Sequence, residues 1–252
     1  MRKPKITVIG AGDVGAATAR RLARRRLSEI VVVDLDHAAP AAADHGGGVR
    51  AGDYDATAGS DVLIVAAGSA RAPAASRGEP LDAIVRAVSE AVSRAVRKSR
   101  DSIIIMVSEP VDVMCEVARR VSGFPRERVI GVAEALDPAL VRASAAAEPG
   151  ASRGIARRPE PDAADERPAA RTVEIADAIV NDGKKIRPCF VYLQGEFDVT
   201  GVFVGVPARL GAAGLEGFAD LPLTADERAQ LRRSAAAAAA RSAKLPADLG
   251  QR

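Results

Sequence analysis

The sequence predicts an α/β fold: a doubly wound parallel sheet followed by a reduced α+β C-terminal domain. Three observations carry that expectation. Short, almost continuous apolar runs alternate with amphipathic helical stretches through the first half of the 252-residue chain. The first such run ends in a glycine turn that opens directly into a helix. Beyond a stretch rich in Pro, Gly and charge, the order changes to a helix, two strands and a last helix.

In chain order, "KITVIG" (5–10) is a β-branched run ending on glycine, and "DVGAATARRLARRR" (13–26) has helical periodicity. "EIVVVD" (29–34) is a second strand, so the opening forms a βαβ unit with a parallel pair. "DVLIVAAG" (61–68) and "SIIIMVSEP" (102–110) lack alternation, as expected of strands covered on both faces. Residues 80–99 form an amphipathic helix between them, and 111–123 form another that stops at Gly123. "RVIGV" (128–132) is a further short strand.

Two stretches depart from this rhythm. Residues 37–53 occupy the place of a helix and a strand but are too short and glycine-rich for both. Residues 147–168, "AEPGASRGIARRPEPDAADERP", hold almost no large apolar side chain and are expected to be a flexible linker. The predicted organisation is therefore a dinucleotide-type domain over 1–146, the linker over 147–168, and a smaller region over 169–252. That last region comprises a helix (169–182), an antiparallel pair from "IRPCFVYL" and "VFVGVPARL", and a helix (224–244) whose alanine run has little to pack.

Composition narrows the function. Hydrophobic residues are 48% of the chain, enough for a real core, but aromatics are 3% and tryptophan is absent. The core must come from Val, Ile, Leu and Ala. A net charge of +3 argues against nucleic acid or an anionic membrane as the main partner. The one basic run, "ARRLARRR" (19–26), suits the solvated face of a helix. No segment is expected to serve as a secretory signal or a membrane span. Cys115 and Cys189 lie in apolar stretches without metal-ligand spacing, so buried free thiols in a reducing cytoplasm are expected, and no metal.

"GAGDVG" (10–15) is a G-x-G-x-x-G hexad between a strand and a helix. Gly10 permits the tight turn, Gly12 lets a pyrophosphate approach the backbone, and Gly15 allows close helix–strand packing. Asp13 and Val14 complete the turn, whose free N–H groups and positive dipole end face the phosphates. Asp34 ends the second strand 19 residues after Gly15. A carboxylate there accepts bonds from ribose hydroxyls and repels a 2′-phosphate, favouring NAD over NADP. The sheet is thus of the Rossmann type, with NAD as the expected cofactor.

These residues, with "GSDVLIVAAGSARAPAASR", "IIIMVSEPVDVMCEVARRVSGFPRERVIG", "ALDPALVR" and "KKIRPCFVYLQGEFDVTGVFVGVPARLG", resemble the NAD-dependent malate and lactate dehydrogenases. The closest likeness is to the lactate-dehydrogenase-like malate dehydrogenases, shortened and divergent. The resemblance implies that Arg71 reads the distal carboxylate of a small dicarboxylic acid and that Arg77 polarises its reacting carbonyl; a guanidinium suits both as a permanently charged fork. It also implies that Asp137 orients a proton-donating histidine. That histidine is missing. The only two, His37 and His45, follow the second strand, and the stretch that should carry it is the linker. The arginine that anchors the C1 carboxylate falls on Leu140, and an asparagine near the reacting oxygen falls on Glu109. "HGGG" (45–48) echoes a hydrolase oxyanion loop, but no G-x-S-x-G accompanies it.

The sequence therefore points to an oxidoreductase that moves hydride between NAD and a small 2-hydroxy or 2-keto dicarboxylic acid, with strongly impaired turnover. The alternative is a non-catalytic NAD-binding paralogue in a structural or sensing role. Either form is expected to be cytoplasmic, without nucleic acid or membrane partners, as a homo-oligomer or paired with an intact sibling subunit.

Overall fold

The structure, a computed structural model, describes residues 2–26, 28–34, 48–68, 81–133, 140, 166–220 and 223–250. Six short strands run parallel: β1 (Lys5–Ile9), β2 (Glu29–Val33), β3 (Val49–Gly52), β4 (Val62–Val65), β5 (Ile103–Met106) and β6 (Val129–Val132). Three longer ones are antiparallel: β7 (Lys185–Gln194), β8 (Thr200–Gly211) and β9 (Gly214–Phe218). Together they make one sheet in the order β3-β2-β1-β4-β5-β6-β7-β8-β9. Its first six positions are the doubly wound order, with the direction of winding reversing between β1 and β4.

The apolar runs become strands because both faces of the sheet are covered. Ile6 and Val8 of β1, Ile30 and Val32 of β2, and Val62 and Ile64 of β4 enter one core cluster. Their neighbours Ile9, Val31, Val33, Leu63 and Val65 enter the other. Helices α1 (Asp13–Arg25) and α4 (Glu166–Val180) pack together in the first cluster, and α2 (Leu81–Val96) and α3 (Val111–Ser122) in the second.

Several elements differ from the sequence expectation in detail. A strand, β3, does form within 37–53, while residues 35–47 lie outside the described residues. Helix α4 starts at Glu166, inside the stretch read as linker, and stops at Val180. Strand β9 was not expected; it follows a two-residue turn after β8, and its "GLEGF" carries too little apolar alternation to announce itself. The last helix, α5 (Ala225–Ser242), does find packing for its alanines: Leu231, Ala235 and Ala238 are buried on one face. Among the described residues, no helix is long and apolar enough to cross a membrane.

Three polar devices secure the helices. Thr224 caps α5 by accepting from Glu227 N at 3.3 Å, and the Glu227 carboxylate accepts from Thr224 N at 2.8 Å. Arg241, near the other end of α5, clamps the buried Asp112 of α3 with bonds of 2.9 and 2.6 Å. On α3, the buried Glu116 carboxylate accepts two bonds of 2.9 Å from Arg119 and one of 2.6 Å from Arg120. Burial pushes that carboxyl upward, but the two guanidinium groups outweigh it and hold Glu116 below its ordinary range.

A depressed carboxyl stabilises the fold at neutral pH, and that contribution fades as the pH falls below the ordinary glutamate value of about 4.3. Glu116→Gln is expected to lower the melting temperature at pH 7 and to flatten the acid limb of the stability profile, measured by thermal melts from neutral to acid pH. Thr224→Ala is expected to cost about 1 kcal/mol in urea unfolding, because one capping bond at the start of α5 is lost.

Candidate dinucleotide site

The site is built where the parallel strands leave the sheet. β1 gives way to Gly10 at φ +102°, a left-handed conformation that favours glycine. A Cβ at Gly10 would lie 2.4 Å from the Ala66 carbonyl oxygen. Gly12 is the N-cap of α1, extended, with no side-chain cap over the helix end. The N–H of Ala16 makes the first bond of the helix, to the Gly12 oxygen at 2.8 Å, so the amides of Asp13, Val14 and Gly15 precede the intrahelical ladder. Gly15 is buried, and a Cβ there would meet the Gly10 oxygen at 1.9 Å. Helix and turn approach each other too closely for any side chain.

Main-chain bonds tie the neighbouring strand exits to this turn. Gly10 N donates to Val33 O at 2.8 Å, Ala66 N to Ile9 O at 2.8 Å, and Val107 N to Val65 O at 2.9 Å. The Ser108 hydroxyl donates to the Ala67 oxygen and locks the next turn down. Asp34, Gly10–Gly12, Ala66–Gly68 and Ser108–Glu109 therefore line one rim of the sheet. The winding reversal between β1 and β4 falls at its centre, where such sheets bind ligands.

Asp34 is half-buried at the β2 end of this rim. Tyr54, which the sequence did not single out, is close enough for the Asp34 charge to bear on its phenol. Burial is the largest influence on that phenol and, with Glu90 and Asp34 adding and Arg94 opposing, pushes it up to about 12. The Arg94 guanidinium stacks 3.9 Å from the centre of the Tyr54 ring. At the β5 end, Glu109 is exposed, and its Oε2 accepts from Val111 N, the first residue of α3, at 3.2 Å. Leu140 is 2% exposed and belongs to the same core cluster as β1, so it contributes packing.

Arg71, Arg77, Asp137, His37 and His45 lie outside the described residues. Both cysteines are free and buried, and burial pushes both thiols up, so they are protonated at neutral pH. Among the described residues, no group of three His, Cys, Asp or Glu could hold a metal ion.

A glycine turn under a helix N-terminus, an acid closing the second strand and the winding reversal between β1 and β4 define a dinucleotide-binding protein of the doubly wound class. The particular family follows from comparison with known proteins. Residues 4–131 match the lactate/malate dehydrogenase NAD-binding domain, and 164–244 match the α/β C-terminal domain of the same family. The chain is 33% identical over 307 aligned positions to the malate dehydrogenase of Roseiflexus sp. (strain RS-1), covering 97% of this chain and 99% of the relative. It is 35% identical to that of Chloroherpeton thalassium, covering 92% and 95%. The Salinibacter ruber malate dehydrogenase structure superposes with a TM-score of 0.72 at 30% identity, covering 94% of this chain and 95% of that one. The Cryptosporidium parvum enzyme, at 21% identity and a TM-score of 0.80 over 97% and 99%, shares the fold.

The chain belongs to the lactate/malate dehydrogenase family of NAD-dependent oxidoreductases. NAD is its cofactor, and the cradle fits it: two glycines that no Cβ could replace, uncapped amides for the pyrophosphate, and a carboxylate one strand away. Because the Roseiflexus alignment is longer than this chain's 252 residues, the relative's length is matched across internal deletions.

Gly15→Ala is the sharpest test of the cradle. It is expected to weaken NADH binding by at least tenfold in a fluorescence titration, because α1 must move off the Gly10 turn. A destabilisation of roughly 1–3 kcal/mol should accompany it in urea unfolding.

Proposed function

We propose that the chain is a malate-dehydrogenase-type oxidoreductase with severely reduced turnover, acting between NAD and a small 2-hydroxy or 2-keto dicarboxylic acid. The supporting observation is the contrast between a cofactor cradle held intact at Gly10, Gly15 and Asp34 and a substrate position, Leu140, filled by a buried leucine. The relatives that cover nearly the whole chain are malate dehydrogenases, which supports the substrate class.

In this reading, residues 1–146 carry the cofactor and 169–252 form the substrate-side region, with 147–168 joining them. Gly12 and the open amides of α1 hold the pyrophosphate, and Asp34 holds the adenosine ribose. When bound, the reduced cofactor would supply the hydride for the carbonyl carbon of the keto acid. Arg77 polarises the carbonyl oxygen, and Arg71 pairs with the distal carboxylate. Asp137 has no histidine partner within the sequence pattern of the family, so the alkoxide oxygen takes its proton from water.

Loss of a positioned general acid costs about 10²–10⁴ in rate. Loss of a charge-assisted carboxylate anchor costs about 1.5–3 kcal/mol, a further factor of roughly 10–150. Against a typical turnover near 10 per second, the expected rate is on the order of 10⁻⁵–10⁻² per second. The same buried Leu140 favours the second reading, a non-catalytic NAD-binding partner of an intact sibling, if the rate falls to background.

One sample tests both readings: NADH is titrated first, then challenged with oxaloacetate. Saturable NADH binding with slow oxidation above an Arg77→Ala control is the result expected. Binding with no oxidation above that control would leave the non-catalytic reading.

A further inference from the structure

We propose that the edge of the sheet opposite the cofactor rim is a docking surface for duplex nucleic acid, held through its phosphates without regard to sequence. The inference goes beyond the oxidoreductase reading and does not depend on it.

The overall charge of +3, from which no nucleic-acid partner is expected, conceals an uneven distribution. At the entrances of β1, β2, β4, β5 and β6 stand residues 2–5, 24–26 with 28–29, 55–61, 97–102 and 124–128. Together they hold eleven Lys or Arg against five Asp or Glu, so the rest of the chain is net negative. Main-chain bonds draw these segments into one surface. Glu29 N donates to Pro4 O at 2.8 Å, Asp61 N to Lys5 O at 2.9 Å, Ile103 N to Asp61 O at 3.0 Å and Gly59 N to Lys98 O at 3.1 Å. The Arg128 guanidinium adds a bond of 2.7 Å to Arg100 O. From β2 to β6 the surface crosses four strand spacings, roughly 19 Å, a length over which a duplex carries about eleven phosphate charges. The Gly10 turn lies five residues along β1 from Lys5, roughly 17 Å away.

Helix dipoles account for some of these cations, since Arg24 and Arg25 close α1. They do not account for Arg2, Lys3 and Arg100, which stand outside the helices. The local acids neutralise only part of the charge: Asp61 pairs with Arg2 at 2.6 Å and Asp55 with Lys98 at 2.8 Å. Lys3, Arg24, Arg26 and Arg100 are exposed and, among the described residues, in no ion pair. An acidic protein or a lipid surface would ask for large apolar anchors beside the charge. The exposed apolar residues of these segments are Ala58, Gly59 and Pro125. A phosphate backbone asks for cations alone. Phe124 is buried, with the Arg128 guanidinium 4.2 Å from its ring centre, so it offers no stacking platform for unpaired bases. That favours a duplex over a single strand.

Fluorescence anisotropy with a labelled mixed-sequence duplex tests the proposal. Four phosphate contacts predict a slope of about −3.6 in log affinity against log salt, so a rise from about 50 to 200 mM salt should weaken binding roughly a hundredfold. Arg24→Gln/Arg26→Gln is expected to weaken binding at least tenfold at about 50 mM salt and to reduce the slope by about 2. The charge-matched Arg86→Gln/Arg228→Gln, at exposed positions of α2 and α5, should leave both unchanged. A wild-type slope near zero, equal losses in the two double variants, or tighter capture by phosphatidylserine vesicles than by duplex would overturn the proposal. The slope and the vesicle comparison use the wild type alone, so they decide even if a variant fails to fold. Saturating NADH should leave the duplex bound; displacement would put the duplex in the cofactor cradle and refute this surface. A chain that binds duplex but no NADH contradicts the cofactor reading and leaves this one standing.

Discussion

The close approach of α1 to the turn after β1 is the constraint on which the rest of this molecule depends. With no side chain at Gly10 or Gly15, the helix end comes down onto the strand exit, and no side chain caps the amides of its first turn. The same turn is bonded to β2 on one side, and β1 is bonded to the exit of β4 on the other. One contact thus sets the height of the rim from Asp34 to Glu109. Every group assigned to the cofactor is placed relative to that contact, and each lies on main chain whose position the sheet dictates.

The cofactor half of the site is legible in the sequence because its chemistry is mostly backbone. A turn that admits no Cβ must be written with glycine, and a strand that ends beside a ribose must end with an acid. Gly10, Gly12, Gly15 and Asp34 are therefore visible before any coordinate is known. The strands β1, β2, β4 and β5 are legible for a related reason, since burial on both faces leaves no polar position to interrupt the run. What escaped reading is what depends on neighbours distant in the chain. Strand β9 exists because β8 is there to pair with it, and Tyr54 matters because Arg94 and Asp34 converge on it from other elements. The bond from Val111 to Glu109 is local, yet nothing in "SEPVD" announces it.

The substrate half is legible through family resemblance alone, and there the chain departs from its relatives. Leu140 is buried and adds to the core, and in the proposed reading that packing stands where the substrate anchor would be. Glu109, by contrast, stays exposed on the rim. In the proposed reading, cofactor binding is separated from dicarboxylate recognition. The glycine turn and Asp34 draw only on β1, β2, β4 and α1, none of which contains Glu109 or Leu140.

Hydrogen–deuterium exchange with and without NADH tests this account most directly. Protection is expected to concentrate at the strand exits, in peptides covering 10–16, 34 and 66–68, with β7, β8 and β9 little changed. Protection confined to the antiparallel strands, or no protection at the Gly10–Ala16 turn when NADH is bound, would contradict it.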